Sequence, residues 1–450
     1  MTPATTTRPT KISAAATSAA LSLLFVIVYG SCNWITAHRS DVGTWYYKWE
    51  RYIPFVPVMI VPYMSVDLFF VAAPFLCQSQ SELRVFARRI AFTIIVAGVF
   101  FLAMPLRLGV AVPEPAGWTG FLFRFLHGFD QPTNLFPSLH IALQTVLATL
   151  YARHTRGVVR ACSNVWFSLI GFSTLLTYQH HFVDIVSGFV LAVIAFYLFR
   201  ENQVRWPVTS NLPVGLYYAA GALAALGLAI AGWPWSGILL WAAISLGIVA
   251  LAYAGLGPAV YRKTDGRLPW SARLILAPCL IGQYFSLLYY RRDCDAWNKL
   301  TPRVWIGAQL SEDEAANARR KGVTAVLDLT TEFSETPTLL KLRYRNIPVL
   351  DLTGLSVAQL QEAVDFIIKH ANNGVVYIHC KVGYSRTAAV AGAYLLTSGQ
   401  AATPDQAVAF LRYARPSMII RPETYEALAR FGSESTMKTN SLEAAEGPLR

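Results

Sequence analysis

Charge is scarce in this chain. Asp, Glu, Lys and Arg together make up 14% of its 450 residues, against 54% hydrophobic residues and a mean hydropathy of +0.40. Ordinary soluble domains carry about 25% charged residues, so a chain that is soluble throughout is excluded. Cysteine is sparse as well. Cys32, Cys77, Cys162, Cys279, Cys294 and Cys380 sit mostly in apolar segments without paired spacing, which excludes a disulfide framework and a cysteine-based zinc site. No internal repeat is present, so a solenoid or propeller is excluded. Acidic residues are the rarer sign, 26 against 38 basic, for a net charge of +12. That excess lies in the connections between apolar runs and in the C-terminal region, so no nucleic-acid partner is needed to account for it.

What the chain has instead is apolar stretches of spanning length, all before residue 290. They fall near Ile12 to Ala37, Ile53 to Cys77, Ile90 to Val112, Leu135 to Ala152, Ala161 to Tyr178, Phe182 to Phe199, Val214 to Ala231 and Gly237 to Leu256. Such a series with short connections reads as a polytopic membrane domain rather than as buried core helices. The first stretch is too long, and lacks a clear small-residue cleavage site, for a cleavable signal peptide. Arg84, Arg88 and Arg89, then Arg153, Arg156 and Arg160, then Arg200 and Arg205, then Arg262, Lys263 and Arg267 all fall in even-numbered connections. The positive-inside rule puts those loops and the N-terminus in the cytoplasm, although Arg39, Lys48 and Arg51 lie in an odd-numbered one.

The residues from His379 to Arg386, HCKVGYSR, carry the most chemical information. Val375 to Ile378 reads as an interior strand and Thr387 to Ser398 as a helix, so the motif is a strand, a loop and a helix. Such a loop aims backbone N–H groups and a helix N-terminus at one point, where an oxyanion can sit and a cysteine is held as thiolate. Cys380 is the expected nucleophile toward a phosphomonoester. Arg386 and the loop from Lys381 through Val382, Gly383, Tyr384 and Ser385 to Thr387 are expected to bind the phosphoryl oxygens, with Gly383 allowing the tight curl. The hydroxyl of Ser385 or Thr387 can donate to the departing sulfur. Asp351, at the end of a predicted strand in IPVLDLTG, is the expected general acid.

This loop resembles that of the cysteine-dependent dual-specificity phosphatases, HCxxGxxR followed by Ser or Thr, and the resemblance covers about Pro302 to Gly432. VYIHCKVGYSRTAAVAGAYLL, IIRPETYEAL and DLTG look most like the mitochondrial phosphatidylglycerophosphate phosphatases, which implies a lipid phosphate substrate. Tyr384 in the loop is equally at home in protein phosphatases, so phosphoprotein substrates stay open. Strands are predicted at Val304 to Gly307, Val323 to Leu329, Arg345 to Val349 and Val375 to His379, with helices opening at Ser356, Thr403 and Pro422.

A second constellation lies in the apolar half. His140 in FPSLH opens the fourth segment, and His180 and Asp184 in HHFVD join the fifth to the sixth, all at the outer face by the topology above. His180 and Asp184 are four apart, so on one helix the carboxylate orients the imidazole. Ionisable groups at membrane depth are costly and mark function. His180 is assigned as nucleophile, Asp184 as its orienter and His140 as general acid; His181, three from Asp184, is not excluded by spacing. FPSLH and TYQHHFVD resemble the late motifs of the type 2 phosphatidic acid phosphatase superfamily, closest to its inositol phosphorylceramide synthase branch, over about Ile90 to Arg200. The superfamily's first motif is not recognisable. Arg107 and Arg124 are the available cations for phosphate, and hydrolysis and head-group transfer both stay open.

The expectation is therefore a multi-domain chain, an all-α polytopic membrane domain of about eight helices followed by a soluble α/β cysteine-phosphatase domain. Its parts are a disordered tail at 1–11, the membrane domain at 12–260, a basic loop with an interfacial or re-entrant helix at 261–301, the phosphatase domain at 302–432, and a disordered tail at 433–450. The partners are membrane lipids and, in the alternative, phosphoproteins, with the membrane half then a lipid sensor or localiser. No metal or other cofactor enters either mechanism. A bacterial-type inner membrane with the phosphatase domain on the cytoplasmic side completes the expectation.

Overall fold

The computed structural model describes residues 7–128, 133–201, 209–232 and 236–445. The outermost parts of both expected tails, 1–6 and 446–450, lie outside the described residues. The chain forms two compact units, Met1–Gln203 and Val204–Arg450.

The first unit is helical: α1 (Lys11–Ala37), α2 (Ile60–Ala72), α3 (Gln80–Ala103), α4 (Gly117–His127), α5 (Leu139–His154), α6 (Gly157–Leu176) and α7 (Phe182–Leu198). Side chains supply the N-caps that the apolar interiors cannot. Thr10 accepts from Ser13 N–H at 3.1 Å, Ser79 from Glu82 N–H at 3.0 Å and Ser138 from Ile141 N–H at 3.3 Å. Ile90, Ile94 and Ala97 of α3, Ala142 and Leu147 of α5 and Ile170 of α6 are fully buried and form the centre. The third helix begins ten residues before its expected start at Ile90, because Ser79 and Glu82 cap a first turn that hydropathy alone passes over.

In the second unit, α8 (Leu212–Ala231) and α9 (Ile238–Leu251) make an apolar hairpin, and α9 runs on through irregular turns to Tyr261. Then follow α10 (Trp270–Ile275), α11 (Ala277–Arg291), β1 (Trp297–Thr301), β2 (Val304–Gly307), α12 (Glu312–Arg320), β3 (Val323–Asp328), α13 (Pro337–Leu340), β4 (Arg343–Asn346), α14 (Val357–Ala371), β5 (Val375–His379), α15 (Ser385–Thr397), α16 (Pro404–Ala414) and α17 (Pro422–Ala445). The sheet order is β1-β2-β5-β3-β4, parallel except for the antiparallel edge strand β1. Alternation divides its core. Ile306, Leu327 and Ile378 face the helices α14 and α15, while Trp305, Val326 and Tyr377 face α12. The last helix extends to Ala445, past Ser433, where the sequence suggests a small polar tail.

Among the described residues, six helical stretches are long and apolar enough to cross a membrane: Lys11–Ala37, Pro57–Leu76, Gln80–Ala103, Gly157–Leu176, Leu212–Ala231 and Ile238–Tyr261. The expected fourth segment forms a helix of 16 residues that starts at Leu139, because Phe136, Pro137 and Ser138 are spent on the preceding loop, and the expected sixth forms a helix of 17 residues from Phe182 to Leu198.

Candidate active site

The phosphatase loop begins where β5 ends in the middle of the sheet. His379 pairs with Asp328 of β3 and Gly307 of β2, so Cys380 emerges between two parallel neighbours at their C-terminal ends. Gly383 has φ +80°, and a Cβ there would stand 2.5 Å from the carbonyl oxygen of Gly307, so only glycine lets the loop pass the end of β2. Two further contacts brace the loop. Gln309 N–H donates to Lys381 O at 3.1 Å, and the fully buried Arg415 donates to Val382 O at 3.0 Å.

Cys380 is buried. Burial alone pushes its thiol up, but the Arg386 guanidinium and the Thr387 hydroxyl and amide outweigh it and hold the pKa below the ordinary 9.0. Arg386 is clamped by Glu332 at 2.7 and 3.2 Å and by Val349 O at 2.9 Å, while its buried Nε has no partner. A guanidinium so oriented presents an open donor to an oxyanion. Asp351 Oδ2 lies 2.7 Å from Lys381 Nζ, and Oδ1 lies 3.3 Å from Arg386. Cys380, Lys381, Val382, Tyr384, Ser385, Asp351 and Glu332 line one cavity of about 300 Å³. Of the two hydroxyls offered for the sulfur, Ser385 is committed to Ile419 O at 3.1 Å, and Thr387 is the one that bears on Cys380.

Behind the loop, Asp328, Glu335 and His379 bring three ligating atoms within 4.8 Å of one another, a geometry able to hold a cation. Lys263, whose buried ammonium lies 2.6 Å from Asp328, and His379, 2.8 Å from Glu335, stand beside these carboxylates. Burial lowers the pKa of His379, yet Glu335 and Asp328 raise it above its ordinary value overall. Lys263, one of the basic loop residues used for orientation, is thus an internal ion-pair partner of the sheet.

The first unit assembles the other constellation. Ser138 N–H donates to Asp184 O at 2.9 Å, and Gly188 lets this approach occur, since a Cβ there would meet Ser138 O at 2.3 Å. The start of α5 is thereby fixed against the first turn of α7, and His140 and His180 line one cavity of about 270 Å³. His180 Nδ1 is 3.7 Å from Asp184 Oδ2, and neither that nitrogen nor His140 Nε2 has a hydrogen-bond partner. His181 is engaged elsewhere. Its Nδ1 meets Glu50 at 3.0 Å, its Nε2 accepts from Gly109 N–H at 3.0 Å, and its amide donates to Asp184 at 2.8 Å. Arg107 and Arg124 are exposed and do not line this cavity, whereas Asp67 does.

Glu332, Arg415 and Asp67 are not among the residues expected from the sequence. Only Asp67 carried a signal, a carboxylate inside an apolar helix.

An α/β sheet that delivers a cysteine and an arginine to one oxyanion-binding loop, joined to a bundle of apolar helices, defines a membrane-bound phosphatase. Residues 304–434 match the family described as dual specificity phosphatase, catalytic domain, and residues 18–198 match the PAP2 superfamily. The phosphatidylglycerophosphatase and protein-tyrosine phosphatase 1 of Homo sapiens is 29% identical over 182 residues, 37% of this chain and 89% of that protein. Its Mus musculus counterpart is 34% identical over 94 residues, 20% of this chain and 48% of that protein, about half its length. The crystal structure of PTPMT1 aligns at 26% identity over 32% of this chain and 99% of that chain, with a TM-score of 0.30. The chain thus joins a PAP2 superfamily domain to a C-terminal dual specificity phosphatase catalytic domain, and it is a phosphoric monoester hydrolase.

Proposed function

We propose that the C-terminal domain hydrolyses lipid phosphomonoesters through a cysteinyl-phosphate intermediate, and that the membrane domain hydrolyses or transfers lipid phosphate groups through His180, Asp184 and His140, both in phospholipid metabolism. The observation that carries the first part is the meeting of Cys380 and Asp351 in one cavity, with Arg386 holding the thiol below its ordinary pKa. The Cys380 thiolate attacks phosphorus, and the P–O bond to the alcohol breaks. The leaving oxygen takes a proton from Asp351 while Arg386 and the loop amides hold the three equatorial oxygens. Water then attacks phosphorus, Asp351 takes its proton, and the P–S bond breaks to return a thiolate stabilised by Arg386 and Thr387.

In the membrane domain, His180 attacks phosphorus with Asp184 as its orienter, and the P–O bond to the leaving group breaks as His140 protonates its oxygen. Water or an acceptor hydroxyl then attacks the phosphohistidine, giving its proton to His140 as the P–N bond breaks and His180 is released. The common cavity of His140 and His180, with Asp184 Oδ2 3.7 Å from His180 Nδ1, supports this reading. The name of the human relative, phosphatidylglycerophosphatase, supports a lipid phosphate; its second half, protein-tyrosine phosphatase, favours the alternative of a membrane-anchored phosphoprotein phosphatase. In this reading the protein lies in a bacterial-type inner membrane, and the even-numbered basic connections support a cytoplasmic side for the phosphatase domain. The test is acid quenching during turnover of a lipid phosphomonoester, followed by mass spectrometry. The reading expects a phosphoryl group on the peptide holding Cys380; phosphate release with that peptide never labelled would overturn it.

A further inference from the structure

The cavity beside Cys380 is only half built by the phosphatase loop. Tyr218 of α8, Tyr253 beyond the end of α9, and Gln283 and Ser286 of α11 line it together with Asp351. This second wall is tied to the residues it faces. Asn211 Nδ2 donates to Leu352 O at 2.6 Å, Lys381 Nζ donates to Ser286 Oγ at 3.3 Å, and Leu350 shares an apolar cluster with Tyr253, Tyr261 and Cys279.

Gln283 stands out in that wall because it is 9% exposed and only half satisfied. Its Nε2 donates to the Tyr261 hydroxyl at 2.7 Å, while the buried Oε1 has no hydrogen-bond partner. A buried amide oxygen without a partner costs free energy, and a ligand that supplies a donor recovers it. Exchanging the amide oxygen and nitrogen leaves an unpaired donor at the same place, and a hydroxyl, which donates and accepts, satisfies either arrangement. The opposite side of α11 exposes Ile281, Tyr284, Phe285, Leu288 and Tyr289 just before Arg291 and Arg292, the pattern of a helix at a membrane surface. The wall that carries the open amide is therefore the wall nearest the lipid.

We infer that Gln283 is a specificity-determining contact on the alcohol side of the substrate. It hydrogen-bonds a free hydroxyl of a membrane-resident phosphomonoester whose phosphate lies at Cys380, so the preferred substrates are polyol lipid phosphates. This rests on the reading of Cys380 as a nucleophile toward lipid phosphate.

The test compares two substrates in mixed micelles with the full-length protein. One is phosphatidylglycerophosphate, with a free hydroxyl on the head glycerol, and the other is the analogue whose head is a propanediol lacking that hydroxyl. Wild type is expected to prefer the hydroxylated substrate by about tenfold in kcat/KM. Gln283→Leu is expected to bring the ratio to about one, and Gln283→Glu, which keeps an acceptor, to retain a preference. The ratio within one variant is independent of how much of it folds. A wild-type ratio near one, or a ratio unchanged in Gln283→Leu, overturns this inference alone. Absence of release from both lipids by wild type overturns the lipid-phosphate reading and this inference with it.

Discussion

Asp351 and Lys381 form an ion pair at 2.7 Å at the mouth of the phosphatase cavity, with Arg386 3.3 Å away on the other carboxylate oxygen. Burial pushes the Asp351 carboxyl up, but Arg386 and Lys381 overcome it and hold the pKa below its ordinary 3.8. The residue proposed as general acid is thus an anion before substrate arrives. In the proposed mechanism its proton comes with the substrate. As phosphate neutralises Arg386 and Lys381, the carboxylate loses the partners that kept it ionised and takes the proton of the phosphate monoanion.

A pH dependence follows from that transfer. Because the second phosphate pKa is about 6, kcat/KM on an alkyl phosphate is expected to fall as pH rises through that value. Asp351→Asn is expected to lose this limb and about 100-fold or more in rate on an alkyl leaving group, with a far smaller loss on p-nitrophenyl phosphate, whose leaving group needs little protonation. Equal losses on both substrates in pH-rate profiles would contradict the assignment.

Arg386 and Thr387 together hold the Cys380 thiol below its ordinary pKa. Alkylation of Cys380 by iodoacetamide is expected to titrate with a midpoint below 9.0, and Thr387→Ala is expected to move that midpoint up. Rates of inactivation measured across pH check both.

Glu332 tests the electrostatics of folding. Burial raises its pKa, but the dominant partner Arg386, with Lys381, brings it down to about 2 from 4.5. A carboxyl depressed on folding contributes stability that is complete above its unfolded pKa and lost as pH falls toward the folded one. Glu332→Gln leaves the buried Arg386 charge without its main partner and is expected to destabilise by about 3 kcal/mol. In thermal unfolding, the gap between wild type and variant should be widest above pH 4.5 and close as pH falls toward 2.

Gly383→Ala is expected to cost about 2 kcal/mol and most of the activity, because the new methyl group meets the backbone of Gly307 at a positive φ. Retention of both activity and melting temperature would contradict the loop geometry.

The nucleophile loop was legible because its chemistry is local. One strand, one turn and one helix N-terminus specify where Cys380, Gly383 and Arg386 must stand, and the strands at 304–307 and 375–379 form as expected. The expected strand at Arg345–Val349 forms instead at Arg343–Asn346, where Asn346 Nδ2 binds Asp328 O and Thr330 O and turns the chain toward Asp351. The edge strand Trp297–Thr301 escaped notice because WNKLT lacks the apolar alternation of a buried strand, and it pairs on one side only. Glu332, Arg415 and Gln283 reach the phosphatase cavity or its loop from distant elements, and no spacing along the chain announces such a meeting. His140, His180 and Asp184 were legible as residue types, whereas Glu50, whose hydrogen bond ties up the His181 imidazole, comes from a distant part of the chain that no spacing announces.

The most direct measurement of the central claim is phosphate release from phosphatidylglycerophosphate in mixed micelles by the intact protein, Cys380→Ser and His180→Ala. The account predicts release by the intact protein and by His180→Ala, and a large loss of release in Cys380→Ser. No release by the intact protein, or undiminished release by Cys380→Ser, would contradict it.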